Sequence, residues 1–185
     1  GDAPPHFGKM AHAAQQRGLS YLGITEHSRH LSVAHGLDPQ RLLKQMDDID
    51  RLNAELAGIP LLKGIEVDIL ENGDLDLPDP VLARLDLVIG AVHSQFHLTR
   101  ARQTERILRA MDHPHFTLLA HPSGRLLGRR EPYDVDMLRI IRKARERHCY
   151  LELNAHPERL DLLDTYCLMA KEEGVANAFD FLGFV

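Results

Sequence analysis

The sequence predicts an α/β fold whose parallel sheet is either closed into a barrel or left open and doubly wound. Five short apolar runs have the length of strands, and segments with helical periodicity separate nearly all of them. The runs are continuous rather than alternating, which is typical of strands buried on both faces of a parallel sheet. Polar residues follow directly after the runs. The length of 185 residues suits one domain, and we expect one domain over residues 1–185.

Glycine and proline residues mark the ends of the elements in the first half of the chain. Gly18 ends a helix, and Pro39 opens an amphipathic helix that Gly58 ends. The dipeptide at 72–73, Asn-Gly, predicts a turn. The expected elements are a helix over 8–18, a strand over 21–25, a helix over 39–56, a strand over 61–69, a short helix over 80–85 and a strand over 85–92.

The second half continues the alternation of helices and strands. Asp134 is positioned to cap one helix at its N-terminus, and Gly174 ends the last one. The expected elements are a helix over 99–111, a strand over 116–120, a helix over 134–147, a strand over 149–154 and a helix over 160–173.

The composition excludes several classes of protein. No run of about 18 apolar residues exists, so we expect no membrane span and no membrane partner. The net charge of −5 argues against a protein that binds nucleic acid by overall charge, so any such role needs a local site. Aromatic residues make up only 5%, which argues against a base-stacking platform. The two cysteines do not form a disulfide framework, and we expect a reducing, cytoplasmic location.

Histidines, 12 in all, are the unusual feature of the composition, and several stand at strand ends. His27, His93 and His121 follow three predicted strands, and Glu66 lies near the end of another. Because the carboxyl ends of parallel strands share one rim, we expect these side chains to converge. Imidazole and carboxylate groups suit zinc, manganese or iron. We therefore predict that His27, Glu66, His93 and His121 bind divalent metal, which would polarise a phosphate and activate water.

The competing interpretation for any one histidine is an ordinary hydrogen-bonded loop residue. Four coincident strand ends favour metal binding for the set, whereas His156 fits the ordinary interpretation because Asn154 takes the inward position. Asp68 is expected to be structural or to orient a ligand. The remaining histidines are interpreted as solvated near the rim (His30, His35, His97) or as structural or surface residues (His6, His12, His113, His115, His148).

An arginine-rich loop follows His121. It contains two glycines with Arg125, Arg129 and Arg130, and arginine side chains match the geometry of phosphate oxygens. We predict that Arg125 binds phosphate, while a solvated turn explains Arg129 and Arg130 at least as well. Ser94 and Asn154, at the ends of two further strands, are predicted to bind substrate.

Five segments carry a resemblance to the polymerase and histidinol phosphatase (PHP) domain. They are residues 21–28 (YLGITEHS), 62–69 (LKGIEVDI), 85–93 (LDLVIGAVH), 118–130 (LLAHPSGRLLGRR) and 151–162 (LELNAHPERLDL). The last two most closely resemble the version found at the C-terminus of bacterial family X DNA polymerases. The resemblance covers nearly the whole chain.

This resemblance implies a distorted seven-stranded β/α barrel of the TIM type with a trinuclear metal site, often loaded with manganese. It implies phosphoesterase chemistry at DNA 3′ ends, as a 3′-5′ exonuclease or 3′-phosphatase in DNA repair, with DNA reached through a parent polymerase. By motif, the four predicted ligands stand where the family's ligands stand, and His93 and Arg125 stand where they would serve catalysis. We expect a monomer.

Two family motifs are not found. The first, His-x-His followed by Ser-Asp-Gly, would end at Gly1, and the last, Asp-x-His, would follow Val175. We therefore expect residues to be absent before Gly1 and between Val175 and Ala176, leaving an incomplete barrel and a weak metal site or none in this fragment. Two alternatives stay open: a stand-alone phosphatase of small esters such as histidinol phosphate, and an inactive structural module.

Overall fold

The computed structural model describes residues 5–28, 36–55 and 58–180, with the side chains of all of these except residues 5, 6 and 177–180. Helices and strands alternate along these residues. In chain order the elements are α1 (Pro5–Gln16), β1 (Leu22–His27), α2 (Pro39–Glu55), β2 (Leu61–Asp68), α3 (Asp79–Leu82), β3 (Leu87–Ala91), α4 (Arg100–Met111), β4 (Leu118–Leu119), α5 (Met137–Arg147), β5 (Tyr150–Asn154), α6 (Asp164–Glu172) and β6 (Asn177–Asp180).

The strands of the described residues follow one another in the sheet in chain order. The pairs β1–β2, β3–β4, β4–β5 and β5–β6 are parallel, and a helix connects the two strands of each pair. This confirms the prediction of an α/β fold with a parallel sheet. The five predicted strands are present, and β6 is an additional one. Its sequence, Asn-Ala-Phe-Asp, lacks the apolar run by which the other strands were recognised.

Two compact units share these residues. The first comprises the described residues up to Glu66 together with Leu77–Val88, and the second comprises Val67–Asp76 together with the residues from Ile89 onward. A small apolar core in the first unit is formed by Phe7, Ala11, Ile24, Ile49 and Leu61. A larger core in the second unit includes the fully buried side chains of Ile107, Met111, Leu119, Ile140 and Leu151. The expectation of a single domain stays a prediction.

Side chains before α4 and α5 explain where these helices begin. The Thr99 side chain accepts a hydrogen bond from a backbone N–H in the first turn of α4. Before α5 the cap is Asp136, whose carboxylate accepts from the backbone N–H of Arg139. The prediction that Asp134 caps this helix was wrong, because Asp134 instead lies 3.6 Å from Arg100 as an ion pair. Two aspartates two residues apart offer the same local signal, and only one can reach the first turn.

The last helix begins later than predicted. We expected it to start at residue 160, but Leu160 has a left-handed φ of +44°, and α6 starts at Asp164. The intervening Asp161 exchanges backbone hydrogen bonds with Asn154 at the end of β5. Asp161 therefore pairs with the end of β5, and residues 160–163 do not add a turn to α6.

Two further expectations concern cysteines and membranes. Both thiols are free, with Cys149 buried and Cys167 partly exposed. Among the helices in the described part of the chain, none has both the length and the apolar character that crossing a bilayer demands.

Candidate metal centre

The first pair of predicted ligands lies in the first unit, at the carboxyl ends of β1 and β2. His27 is directly opposite Glu66 in the parallel register of these strands. The His27 Nε2 atom lies 3.6 Å from the Glu66 Oε1 atom, and the side chains are 38% and 20% exposed. Two ligand atoms bound tetrahedrally at about 2.0–2.2 Å to one zinc ion lie roughly 3.3–3.6 Å apart. The separation is therefore close to that of two ligands of one metal.

The second unit holds His93 and Asp68. His93 follows β3, and its Nδ1 atom donates a hydrogen bond to the carboxylate of Asp68, the last residue of β2. Both side chains are largely buried. This contact fixes the orientation of the imidazole, so Nε2 is the nitrogen that would bind a metal, and carboxylates usually orient histidine ligands in this way. The expectation that Asp68 orients a neighbouring ligand residue is thus supported by a direct contact.

His121 follows β4 in the same unit as His93. Its backbone N–H donates a hydrogen bond to the carboxylate of Glu152, on β5, and its φ is +29°. The His121 side chain is buried, and its ring centroid lies 5.3 Å from that of His93, with the planes tilted by 56°. Two predicted ligands from different strands therefore lie side by side.

The residues that follow His121 are held by two buried side chains. The Asp161 carboxylate accepts hydrogen bonds from the backbone N–H groups of Ser123, at 3.1 Å, and Gly124, at 3.0 Å. The Tyr133 hydroxyl donates to the carbonyl of Pro122 at 2.8 Å, and burial raises the pKa of this phenol above its ordinary value. Gly124 has a φ of +65°, and a Cβ atom there would lie 2.7 Å from Tyr133 Cδ1, so the turn requires glycine.

The predicted substrate-binding residues all make contacts within the second unit. Arg125 donates through Nε to the carbonyl of Arg159 at 2.8 Å and through Nη2 to the carbonyl of Leu160. Asn154 is buried; its Nδ2 donates to Glu152, and its Oδ1 accepts from the backbone N–H of His156. The Ser94 backbone carbonyl accepts from Arg106. Substrate binding by these three residues stays a prediction.

Other histidines agree with their ordinary interpretation or lie outside the described residues. The His156 ring accepts a hydrogen bond from the backbone N–H of Glu158, as expected for a loop residue, and His97 is exposed. His30 and His35 lie outside the described residues, and the side chain of His6 is not among the described ones.

Sequence reasoning missed three buried charged residues that support the candidate site. Glu152 stands inside an apolar strand, and an acid in such a run is a signal that could have revealed it. Arg106 donates to the carbonyls of Ile69, Leu70 and Ser94, so it ties together the segments that follow Asp68 and His93, and burial lowers its pKa. The remaining residue, Asp161, carries no local signal.

These donor types fit a divalent metal. In the first unit, His27 and Glu66 offer an imidazole and a carboxylate. In the second, His93 offers an imidazole oriented by Asp68. His121 lies beside His93 as a further imidazole. Imidazole and carboxylate ligands suit several divalent ions, so the chemistry of the group does not choose between manganese and zinc.

Comparison with known proteins identifies relatives that act on phosphate esters. The chain is 44% identical over 167 residues to the DNA polymerase/3′-5′ exonuclease PolX of Bacillus subtilis (strain 168), a match that covers 90% of this chain and 29% of that protein. It is 28% identical over 149 residues to a probable phosphatase of Thermoanaerobacter sp. (strain X514), covering 78% of this chain and 56% of the relative. No family model matches the sequence. The chain thus spans less than a third of the first relative and about half of the second.

A solved structure shares the fold. The chain matches the crystal structure of histidinol phosphate phosphatase from Lactococcus lactis subsp. lactis Il1403, in complex with zinc, L-histidinol and phosphate, with a TM-score of 0.57 and 16% identity. The match covers 95% of this chain and 80% of the other. At this identity the match shows that the two chains have a common fold.

Proposed function

We propose that this chain is a metal-dependent phosphoesterase domain that hydrolyses phosphate esters at DNA 3′ ends. The observation that carries the proposal is the pairing of two β2 carboxylates with histidines: Glu66 with His27, and Asp68 with His93. The reaction would be a 3′-5′ exonuclease or 3′-phosphatase step in DNA repair. The similarity to the Bacillus subtilis exonuclease supports this substrate.

The two carboxylates in this proposal stand on one strand, β2. Glu66 and Asp68 are two residues apart on β2, so their side chains point to the same face of the strand. Their Cα atoms are about 6.6 Å apart at the usual rise of a strand. His27 lies against Glu66. His93 contacts Asp68, and the His121 ring lies beside that of His93. Each unit would thus hold one carboxylate–histidine pair, and in the second unit His121 would add a further imidazole. The seven-stranded barrel and the trinuclear site belong to this proposal through the PHP resemblance.

Bound metal ions, manganese or zinc, would supply Lewis acidity at the phosphate and a more acidic water. The chain's own residues would hold the ligand nitrogen in place, offset the charge on the phosphate and position the substrate. His93, held through Nδ1 by Asp68, would keep a fixed Nε2 at the centre. Arg125, with its guanidinium anchored on two backbone carbonyls, would offset charge on the phosphate, while Ser94 and Asn154 would position the substrate.

A second candidate is a phosphatase of small phosphomonoesters. It is favoured by the structural match to the histidinol phosphate phosphatase and by the 28% identity to a probable phosphatase. The DNA-directed reaction is preferred because the identity to the exonuclease is higher, at 44%. Under this proposal the domain works in the cytoplasm as part of a monomeric polymerase.

The test is to measure manganese-dependent hydrolysis by the intact protein with His93→Ala and with His97→Ala as the matched control. His97 is an exposed histidine four residues further along the same loop. We expect a loss on the order of a hundredfold or more for His93→Ala and little change for the control. Assaying a 3′-labelled oligonucleotide and a small phosphomonoester in parallel separates the two candidates. Equal activity of the two variants would contradict the assignment of His93.

A further inference from the structure

Four arginines of the second unit lie close together around the segment that follows His121. We call Arg125, Arg129, Arg130 and Arg159 the arginine cluster. Arg125 donates to the carbonyl of Arg159, and Arg159 donates in return to the carbonyl of Arg125 at 3.5 Å. Arg130 donates through Nε to the carbonyl of Gly124, three residues after His121. The cluster is therefore joined to the segment that carries a predicted metal ligand.

Most of the positive charge of the arginine cluster is not neutralised. Arg129 forms an ion pair with Glu158 at 3.6 Å. Within the described part of the chain, no ion pair to a carboxylate involves Arg125, Arg130 or Arg159, whose hydrogen-bonded partners are neutral carbonyls. Burial and the nearby charge of Arg159 lower the pKa of Arg130. Like charges held together in this way are stabilised when an anion binds between them.

Two of these guanidinium groups, those of Arg125 and Arg130, are also held in place before any ligand binds. Arg125 is held by two backbone carbonyls. The Arg130 guanidinium lies 4.0 Å from the centroid of the Phe96 ring, and this ring stacks on Tyr133 with an interplanar angle of 15°. Because their orientation is already set, little side-chain entropy is lost on binding. Such an arrangement is typical of arginines that recognise phosphate.

We propose that the arginine cluster binds the backbone of a single-stranded nucleic acid, with Arg125 at the phosphate that is hydrolysed and with Arg130 and Arg159 at phosphates further along the strand. Three unneutralised guanidinium groups exceed the charge of one phosphomonoester, about −1.5 to −2, whereas successive phosphodiesters each supply one negative charge. The cluster also provides the local basic site that a chain with a net charge of −5 needs to bind nucleic acid. The inference deepens the proposed function and rests on it for the class of substrate.

The test is fluorescence anisotropy of a labelled single-stranded oligonucleotide with phosphorothioate linkages at its 3′ end, which slow hydrolysis, titrated with the intact protein at several salt concentrations. The variant Arg130→Gln/Arg159→Gln removes two charges from the arginine cluster. The matched control, Arg142→Gln/Arg145→Gln, removes two charges from α5, where both arginines pair with Glu173. Each lost phosphate contact lowers the slope of log K against log salt concentration by about 0.7. The first variant should therefore lose about 1.4 in slope, which corresponds to roughly 25-fold weaker binding at 0.1 M salt.

Restoring charge makes the test independent of folding defects. Arg130→Lys/Arg159→Lys keeps both charges and should recover most of the salt slope. Equal losses in the cluster variant and the α5 control, or an unchanged slope in the cluster variant, would overturn the inference. Hydrolysis of an unmodified oligonucleotide by the unsubstituted protein is measured separately. If the protein does not hydrolyse the oligonucleotide but binding changes as expected, the proposed function is refuted and the binding surface is supported.

Discussion

Replacing Asp161 by asparagine should destabilise the chain strongly. The Asp161 residue is fully buried, and its carboxylate accepts the backbone N–H groups of Ser123 and Gly124. Both N–H groups donate to Oδ2, and the Ser123 N atom also lies 3.2 Å from Oδ1. An asparagine oxygen in the Oδ2 position would keep both bonds but without the negative charge. Hydrogen bonds to a charged group contribute about 1.5–3 kcal/mol each. Weakening both bonds from charge-assisted to neutral should cost about 2–3 kcal/mol of the free energy of unfolding, or roughly 4–12 °C in the melting temperature.

The assay is urea denaturation followed by far-ultraviolet circular dichroism, with Asp164→Asn as the matched control. Asp164 is exposed and lies in the first turn of α6, where a negative charge contributes about 0.3–1 kcal/mol. Similar unfolding midpoints for the two variants would refute the reasoning, because they would show that the two backbone bonds of Asp161 contribute no more than a surface charge does.

Three further changes have expected outcomes. Asp68→Asn should weaken metal binding about 10- to 100-fold because His93 loses its orienting carboxylate, as measured by competition with a chelator; unchanged affinity would count against this contact. Gly90→Ala should cost about 1–3 kcal/mol in thermal denaturation, since its Cβ would lie 2.7 Å from Phe116 Cζ, and Phe116→Leu should recover part of that loss. Burial raises the pKa of the Tyr133 phenol. The free energy of unfolding should therefore not depend on this group below about pH 10, and it should fall by about 1.4 kcal/mol per pH unit above that. Tyr133→Phe should remove this alkaline slope, and an identical slope in both proteins would contradict it.

The order of helices and strands was predictable because local signals determine it. Apolar runs mark β1 to β5, and the glycines at 18 and 174, both with positive φ, end helical segments where expected. Where local signals were ambiguous the prediction failed. The cap of α5 is Asp136 and not Asp134, and the start of α6 depends on the pairing of Asp161 with Asn154, which no local pattern reveals.

The candidate ligands were predicted by a different argument, and metal binding by them stays a prediction. In a parallel sheet the strand ends meet at one edge, so polar residues placed there by the sequence come together. Asp161, by contrast, lies 38 residues from Ser123, and its role depends on how two distant loops meet. Its sequence context, shortly before a helix, resembles that of any exposed polar residue. Non-local pairing of this kind cannot be read from the spacing of residues.

Each predicted histidine ligand contacts a carboxylate, and in each case that carboxylate belongs to another strand. Glu66 on β2 faces His27 at the end of β1, and Asp68 on β2 holds His93 after β3. Glu152 on β5 accepts the backbone N–H of His121 after β4. Strand register places Glu66 opposite His27. The other two histidines lie just beyond the ends of their strands, and each contacts a carboxylate on a neighbouring strand. An acid that interrupts an apolar strand is for this reason a better guide to such partners than the residues next to the histidine itself.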